Sequence, residues 1–576
     1  MLALLLTWIC IGWLSLVFGL TGQHLVSAIL KEPKRPEATE HDPDYTILLG
    51  FVLITALLSG ISIFAPINYV TTAFFLLAGT GMTVKYRSDI AQIRRTVQQG
   101  WISLGAPLKA VLIVLFLLTT LAAVYMEIGE SDTWFYHSQS IVWTKEYAVV
   151  PGLGNLFGRL AFNSHFFIVS ALFSPFLSED RVLFPVLSFF YLVFNARLLI
   201  NAHKGMQAQN WFTFTLNFVL FLLFAHQAFD AINGTDTDII TCILILYVFL
   251  LFLESAFQPN NIHKLFLLCV TVFTATTFKL SAILTGVILL FILPQILEKR
   301  KILLFSASVL FIVLPFLVRN IILSGYLFYP VPEIDLFNVD WKIPLSEVVF
   351  EKELVEGWAK LPRGMEDGMR FEDVPKVLSV PFREWFWQWW PNQSVRWESI
   401  MLIDLFSIVL FFYSVYKKNY KIAILCFVLI FNLAFWFLKA PEPRFGFSYL
   451  FFGAALILSV VFSPFVKILK PANSIFYILA LFLIGLPVIR KVEHTSFHAS
   501  TLLYPIYEAK IETEEFQAGN FIVYVPSNEH PANSYWCFCT QVPCTPFPKK
   551  NLLMRGDNYQ QGFKCGSDDI SRTSKK

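Results

Sequence analysis

The chain has 576 residues, of which 56% are apolar and only 15% are charged, whereas a soluble domain carries roughly 25% charged residues. Its sixty Phe and fifteen Trp residues suit a lipid-facing surface with aromatic belts at its edges. The net charge of +3 is not gathered into a basic face or a recognition motif, which excludes a nucleic-acid-binding protein.

Apolar runs recur along most of the chain, and each is long enough, at about 17–20 residues, to cross a hydrocarbon core of roughly 30 Å. The first run lacks a basic start and a small-residue cleavage site, so we expect a retained helix and not a signal peptide. The sequence therefore predicts an all-α polytopic membrane protein with about fourteen transmembrane helices. The predicted spans are 2–22, 47–64, 67–84, 108–126, 182–200, 211–229, 238–257, 264–277, 279–297, 302–318, 399–416, 422–438, 447–466 and 473–489.

Clusters of Lys and Arg set the predicted orientation, because positive residues in short loops mark the cytoplasmic side. All of them fall on one side when the short apolar run 166–177 is treated as an in-plane or re-entrant segment instead of a span. Both termini are then expected outside the cell. The clusters are Lys31/Lys34/Arg35, Lys85/Arg87/Arg94/Arg95, Lys299/Arg300/Lys301, Lys417/Lys418/Lys421 and Lys467/Lys470.

Three regions follow from this threading. The predicted regions are N-terminal transmembrane helices at 1–106, a transmembrane core at 107–490 and an extracytoplasmic cap at 491–576. The core carries two large outer loops, 127–165 and 319–398. The tail has strand-like patches such as Phe521–Val525 and many turn residues, which predicts a small α/β cap.

The tail also contains half of the eight cysteines. In an oxidising outer compartment these are disulfide candidates, and four cysteines allow three pairings. A zinc site is the rival interpretation, although the usual paired C-x-x-C spacing is absent. The candidates are Cys537, Cys539, Cys544 and Cys565.

The outer loop 127–165 opens with a dense group of polar residues that includes Glu127, Glu130, Asp132 and His137. Any one carboxylate could be a solvated helix end, but together they are too dense for an ordinary connector. A Gly-rich segment follows and ends at Arg159, and its glycines permit tight turns and close backbone approach to a ligand. Its spacing is neither a P-loop nor a dinucleotide fingerprint.

Four basic residues lie next to predicted outer hairpin tips, where positive residues should be depleted: Lys279, Arg319, Arg396 and Arg444. Snorkelling to lipid head groups is one explanation. The other is a shared anionic ligand such as a phosphate, for which Arg offers a fork and Lys a point charge. The stretch Asn338–Val374 carries glutamates at helical spacing and is expected to form a solvated amphipathic helix over the site.

Long motifs run through these loops. They are Asp132-Thr-x-x-Tyr136-His137, Glu146-Tyr147-x-Val-Val-Pro151-Gly-Leu-Gly-Asn155-Leu-x-Gly-Arg159, Lys279-Leu-Ser281, Arg319-Asn-x-Ile-Leu-Ser-Gly-Tyr, Pro443-Arg444-Phe and Pro543-Cys544-Thr-Pro546. Together they resemble a family of bacterial polytopic membrane proteins of unassigned function, which looks like a branch of the GT-C glycosyltransferases. The resemblance implies a GT-C-like core in the bacterial cytoplasmic membrane.

GT-C enzymes transfer a sugar from a polyprenyl-phosphate carrier to a glycan, lipid or protein acceptor on the outer face of the membrane. The resemblance implies that Asp132 is the general base, with Glu130 as a competing carboxylate and His137 assisting. The residues it implies for binding the donor phosphate are Lys279, Arg319, Arg444 and Arg159. The residues it implies for contacting the substrate from outer loops are Tyr136, Asn155, Asp236 and Asp238, and a divalent metal near the last two is left open.

Two other function classes stay open at this point. A polysaccharide polymerase or ligase of similar topology would rely on Arg and His more than on a carboxylate base. A transporter of lipid-linked glycans would tend to show internal repeats and broken, charged helices at the midplane, and neither is found. The glycosyltransferase interpretation predicts that Asp132, Lys279, Arg319 and Arg444 line one cavity on the outer side.

Overall fold

The computed structural model describes most of the chain, and the described residues are mainly helical. The described ranges are 1–31, 42–125, 128, 131–178, 181–258, 261–361, 371–469, 473–492, 502–503, 511–527 and 536–566. Ten helices in these ranges are long and apolar enough to cross a membrane. The chain is therefore an all-α, multi-pass membrane protein, as the composition predicts.

The N-terminal region consists of five helices, and the first two pack closely together. A side chain at Gly50 would clash with the Ser15 carbonyl, so glycine lets the two helix backbones approach. The helices are α1 (Leu2–Leu30), α2 (Pro43–Phe64), α3 (Tyr69–Lys85), α4 (Arg87–Ser103) and α5 (Ala106–Tyr125).

The first outer loop folds into short buried elements. Its apolar run forms a helix of only nine residues, which at 1.5 Å per residue is about 13 Å long and too short to cross the bilayer. This length agrees with the in-plane prediction. The elements are a π-helical turn (Thr133–His137), α6 (Ser138–Glu146), α7 (Leu153–Leu156), a 3-10 turn (Gly158–Ala161), α8 (His165–Phe173), and the paired strands β1 (Leu177–Ser178) and β2 (Arg181–Val182).

The central helices pack against the N-terminal region. The Trp8 indole N–H of α1 donates to the Pro185 carbonyl (3.1 Å), and Arg197 forms an ion pair with Asp44 of α2 (2.5 Å). The elements are α9 (Pro185–Gln207), α10 (Trp211–Ala228), α11 (Thr237–Ser255), α12 (Ile262–Phe278), a 3-10 segment (Leu280–Phe291), α13 (Leu293–Ile296) and α14 (Lys299–Ser324). The 3-10 segment rises about 2 Å per residue, so its twelve residues extend about 24 Å.

The second outer loop is helical where it is described, and four long helices follow it. Its first helix was expected to be solvated, which is wrong for Glu351, because that side chain is buried. Trp385 and Trp389 are buried, whereas Trp387 is 64% exposed. The elements are α15 (Leu345–Trp358), a 3-10 turn (Phe371–Ser379), α16 (Phe382–Trp389), α17 (Val395–Tyr416), α18 (Tyr420–Lys439), α19 (Pro443–Leu469) and α20 (Asn473–Val492).

The described part of the tail contains two small antiparallel sheets. β3 (Thr513–Ala518) pairs with β4 (Phe521–Pro526), and β5 (Leu552–Met554) pairs with β6 (Phe563–Cys565). Within 511–527 and 536–566 the helical element is a single 3-10 turn, Tyr559–Gln561. These residues supply the β part of the predicted α/β cap.

The four tail cysteines do not form two bonds. Cys537 and Cys544 form a disulfide with their Cα atoms 5.9 Å apart. Cys539 is a buried thiol, and the Cys565 thiol donates to Asn155 Oδ1 (3.3 Å). The structure therefore selects one bridge between nearby residues and leaves the other two candidates reduced.

Candidate functional site

Asp132 and Arg444 meet although 312 positions separate them. Asp132 directly precedes the π-helical turn, and Arg444 lies in the first turn of α19. The Arg444 Nη1 group donates to Asp132 Oδ2 at 3.2 Å. The structure thus brings the acidic loop that follows α5 to the connection between α18 and α19.

Lys279 and two further carboxylates complete this group. Lys279 forms an ion pair with Asp238, and the Arg444 Nε atom lies 3.9 Å from the other oxygen of Asp238. Asp236 caps α11, because its Oδ1 atom accepts the backbone N–H groups of Asp238 (2.7 Å) and Ile239 (3.0 Å). We call the set Asp132, Asp236, Asp238, Lys279 and Arg444 the outer charge cluster.

A threonine pair holds the two acidic loops together. The Thr235 backbone N–H donates to Thr133 Oγ1 at 3.0 Å, and the two hydroxyl oxygens lie 3.2 Å apart. Gly234 lies against the same hydroxyl, where a Cβ atom would stand only 2.8 Å from it. This contact fixes Asp132 next to the loop that carries Asp236.

A small pocket opens beside the outer charge cluster. It is lined by Asp238, Lys279 and Arg444 together with hydroxyl-bearing side chains. Those side chains belong to Thr241, Ser281, Ser448 and Tyr449. An oxyanion such as a phosphate would meet two cations and several hydroxyls in this pocket, and it would compete for the cations with Asp132 and Asp238.

The environment of Asp132 keeps its carboxyl group charged. Burial alone would raise its pKa, but the Arg444 guanidinium, supported by Arg159, holds the pKa below its usual value. Asp236 differs, because burial and the neighbouring Asp238 carboxylate raise its pKa to about 6. At neutral pH Asp132 is therefore an ionised carboxylate, available to accept a proton.

His137 is buried one turn after Asp132. Its ring packs on Tyr136 (4.3 Å between centroids) and on Phe167 (4.7 Å). Burial lowers its pKa to about 3, although Asp132 opposes that shift. His137 is therefore a neutral imidazole at physiological pH, and its contribution is that of a dipole and not of a cation.

Arg159 is occupied by a carboxylate partner. Its Nε atom lies 2.7 Å from Glu351 Oε1 of α15, and its guanidinium faces the rings of Phe135, Tyr136 and Phe162. Arg159 was predicted to bind the donor phosphate, but its positive charge is already neutralised by Glu351. Its charge still acts on Asp132 through space.

Arg319 is separated from the outer charge cluster. Its Nε group donates to Asn163 Oδ1 (2.9 Å) and its Nη1 group to Ser62 Oγ (2.8 Å). It lines a different pocket, between the first outer loop and the end of α14. The expectation of one cavity lined by all four residues is therefore wrong, because Lys279 and Arg444 line the pocket beside the cluster whereas Asp132 and Arg319 do not.

Asn155 and Tyr136 have packing roles in this structure. The Asn155 amide donates to the Trp341 carbonyl (2.8 Å) and its oxygen accepts from Cys565, so it joins the first outer loop to the tail. Tyr136 is buried among the rings around His137. Neither residue lines the pocket beside the cluster.

The tail is built into the first outer loop. The Phe538 backbone N–H donates to the Trp134 carbonyl (3.1 Å), and their rings stack at 4.6 Å. The Phe563 N–H donates to the Pro151 carbonyl (2.9 Å). Gly152 and Gly562 have positive φ angles of 65° and 90°, and at both positions a Cβ atom would clash with a backbone carbonyl across this contact.

Glu130 and Glu127 lie outside the described residues. Among the residues that are described, no three His, Cys, Asp or Glu side chains are grouped closely enough to hold a metal ion. The outer charge cluster as described is therefore a set of ion pairs and not a ligand cage.

Some residues of the site were not singled out from the sequence. Phe445 packs under the Lys279 ammonium group, 3.9 Å from the ring centroid. Glu351 neutralises Arg159, and Asn163 and Ser62 hold Arg319. Phe445 could have been found from the sequence because it directly follows Arg444. The partners of Arg159 and Arg319 could not, because they are distant in sequence.

The comparisons with known proteins give one family match. A family model described as "Domain of unknown function (DUF8201)" matches residues 1–451. The comparison with curated proteins and the comparison with solved structures gave no match. The matched range contains every member of the outer charge cluster and ends before the tail.

Proposed function

The chain belongs to the DUF8201 family, and we propose that it is a GT-C-type membrane glycosyltransferase that moves a sugar from a polyprenyl-phosphate donor to an acceptor. The observation that supports this most is the convergence of Asp132, Lys279 and Arg444 beside one small pocket. A carboxylate that accepts a proton thus lies next to two cations that can bind a phosphate.

The proposed step uses these three groups. The Asp132 carboxylate takes the proton of the acceptor hydroxyl, and that oxygen attacks the anomeric carbon of the donor sugar. The bond between this carbon and the phosphate oxygen breaks, and the electron pair leaves with the phosphate. Lys279 and Arg444 stabilise the phosphate charge.

Arg444 links the two halves of the reaction. In the absence of a donor it stabilises the Asp132 carboxylate. A bound phosphate competes for the same guanidinium, which weakens its hold on Asp132 and raises the pKa of that carboxyl. Asp132 thus becomes the stronger base when the donor is in place.

The proposal also includes the membrane arrangement. Ten helices are long and apolar enough to cross, and α3, α12, the 3-10 segment and α20 coincide with the four other predicted spans. Fourteen crossings place the outer charge cluster and the tail on the outer face of a bacterial cytoplasmic membrane, with the tail as an extracytoplasmic cap. The partners are then a lipid-linked sugar and a cell-envelope acceptor.

The test is glycan profiling of a deletion strain that is complemented with variants of the gene. Asp132→Asn keeps the shape of the side chain but removes the base, so we expect glycan transfer to fall by about 10²–10⁴-fold. Asp340→Asn is the matched control, because Asp340 pairs with Arg555 away from the cluster. Full complementation by Asp132→Asn at wild-type protein level would exclude Asp132 as the base.

The two cations have their own test in the same strain. Lys279→Met and Arg444→Met should each reduce glycan transfer, because each removes a charge that stabilises the leaving phosphate. Arg396→Gln is the control, since Arg396 donates to Gln227 (3.0 Å) and does not line the pocket. Wild-type glycans in the Lys279 and Arg444 variants would refute the phosphate role.

A further inference from the structure

A second pocket lies behind the aromatic rings that surround His137. It is small, and its walls include Trp143, Tyr147 and Asn163. Phe167 also lines it, and the Phe167 ring packs on His137. The pocket is therefore next to the proposed reaction centre but is not part of it.

Arg319 is the charged residue that lines this pocket. The residue is only 6% exposed, and its guanidinium donates hydrogen bonds to neutral oxygens of Asn163 and Ser62. Among the described residues no carboxylate lies within ion-pair distance of it, and no acidic side chain lines the pocket. A buried cation without a counter-charge is costly, so an anion in this pocket would stabilise it.

Arg197 provides a comparison within the same chain. It is buried to a similar degree, at 9% exposure, but it contacts Asp44 (2.5 Å) and Glu254 (2.7 Å). The fold thus compensates one buried guanidinium with two carboxylates. It leaves the other facing a pocket, which indicates that the counter-charge of Arg319 comes from a ligand.

Trp143 is the second, independent observation. Its residue is 2% exposed and lines the pocket, and its indole N–H has no hydrogen-bond acceptor among the described residues. An indole can only donate, so this group also calls for an acceptor. Trp143 and Tyr147 pack together with ring centroids 5.3 Å apart, and they offer an aromatic wall to the apolar face of a sugar ring.

We propose that this pocket binds an anionic sugar residue of the acceptor, with its carboxylate or phosphate on Arg319 and an oxygen on the Trp143 N–H. The assignment rests on the proposed glycosyltransferase function. In this proposal Arg319 binds an anionic group of the acceptor and not the donor phosphate. It also makes the acceptor an acidic glycan and not a neutral one.

The test measures binding to the full chain in nanodiscs of phosphatidylcholine, by calorimetry. The probes are glucuronate, glucose 6-phosphate, glucose and inorganic phosphate. We expect both acidic sugars to bind at least about tenfold more tightly than glucose, because only they satisfy the guanidinium. Equal binding of glucose, or equally tight binding of inorganic phosphate, would overturn the sugar-anion assignment.

Variants locate the site. Arg319→Gln should weaken the binding of acidic sugars by about tenfold or more, whereas Arg396→Gln should not. Trp143→Phe keeps the aromatic wall and removes the donor, so it should weaken binding by about two- to tenfold even where Arg319→Gln fails to fold. Unchanged affinity in Trp143→Phe would contradict the proposal.

Two further binding measurements distinguish an acidic-sugar site from a lipid head-group site and from the proposed reaction centre. Phosphatidylglycerol in the nanodiscs should not compete with glucuronate; competition would assign the pocket to a lipid head group and overturn the proposal. Asp132→Asn should bind acidic sugars as the wild type does. The binding measurement with this variant does not depend on glycan transfer. It therefore tests the pocket separately from the glycosyltransferase function.

Discussion

Asp132 and His137 lie five positions apart; Asp132 is half-buried and His137 is buried, and their environments leave one charged and the other neutral. Arg444 and Arg159 favour the ionised carboxylate of Asp132, while burial lowers the pKa of His137 to about 3. The histidine therefore cannot compete with Lys279 or Arg444 for a phosphate. In the proposed reaction Asp132 is thus the proton acceptor, and Lys279 and Arg444 are the groups that bind the phosphate.

The low pKa of His137 predicts a loss of stability in acid. The unfolded chain takes up a proton near pH 6.5, the folded chain does so near pH 3, and stability therefore falls as the pH drops below 6.5. At pH 5 the loss is about 2 kcal/mol, since each pH unit below 6.5 is worth about 1.4 kcal/mol. The apparent Tm of His137→Gln in detergent should consequently drop less between pH 7 and pH 5 than that of the wild type.

The control for this prediction has to account for Asp236. Its raised pKa has the opposite sign, because it makes the fold more stable below pH 6. Only the difference between the wild type and the His137 variant is therefore informative. His24→Gln is the matched substitution at an exposed histidine; a pH dependence of the apparent Tm in His137→Gln identical to that of the wild type would contradict the prediction.

Single residues of the site were partly predictable from the sequence. Lys279 and Arg444 were recognisable because cations are unexpected on the outer side, and Asp132 because its loop is unusually acidic. The sequence also pointed to Asn155 and Arg159. In the structure, however, Asn155 bonds to the Trp341 carbonyl and Arg159 pairs with Glu351. Residue type and position do not distinguish these cases, since the partners come from distant segments.

Helix α15 lies over the first outer loop and is fixed to it by charge. Glu351 meets Arg159, and Glu347 meets Lys549 of the tail (2.5 Å). One helix therefore contacts both the loop that carries Asp132 and the segment that covers it. The helix itself was predictable from the spacing of its glutamates, whereas the burial of Glu351 depends on a residue 192 positions earlier and was not.

Removal of the Glu351 charge should destabilise the protein strongly. Glu351→Gln leaves the Arg159 guanidinium buried without a carboxylate, which costs about 3–5 kcal/mol. We expect a clear decrease in the apparent Tm of the purified protein. Glu353→Gln is the matched control on the exposed side of the same helix.

A double variant tests whether charge compensation is the reason. Arg159→Met combined with Glu351→Met removes both charges and should recover most of the lost stability, because no ion is then left buried. A double variant as unstable as Glu351→Gln would indicate that the shape of the contact matters more than its charge.

Across the whole molecule, hydropathy predicted the spans better than it predicted their conformation. Ten predicted spans became long apolar helices, because crossing a bilayer requires a long apolar run. The short pair at 264–297 became α12 and a 3-10 segment, which gains length from its larger rise per residue. Composition alone does not encode that choice of helix type.

This pair is the best place to test the arrangement in the membrane. Alkaline phosphatase is active only outside the cytoplasm, so fusions after Gly234, Phe278 and Val492 should be active. Fusions after Gln258 and Glu298 should be inactive, because they end on the cytoplasmic side. Immunoblots control for the amount of each fusion, and an inactive Phe278 fusion would remove two of the fourteen crossings.

The contact between the tail and the first outer loop has a consequence for biosynthesis. Trp134, Pro151 and Asn155 gain their partners from residues 536–566, which leave the ribosome after every helix of the membrane core. The loop that carries Asp132 therefore gains these contacts only after the helices of the membrane core have been synthesised. A protein that terminates before residue 536 would therefore contain the helices of the membrane core but lack the contacts that the tail makes with this loop.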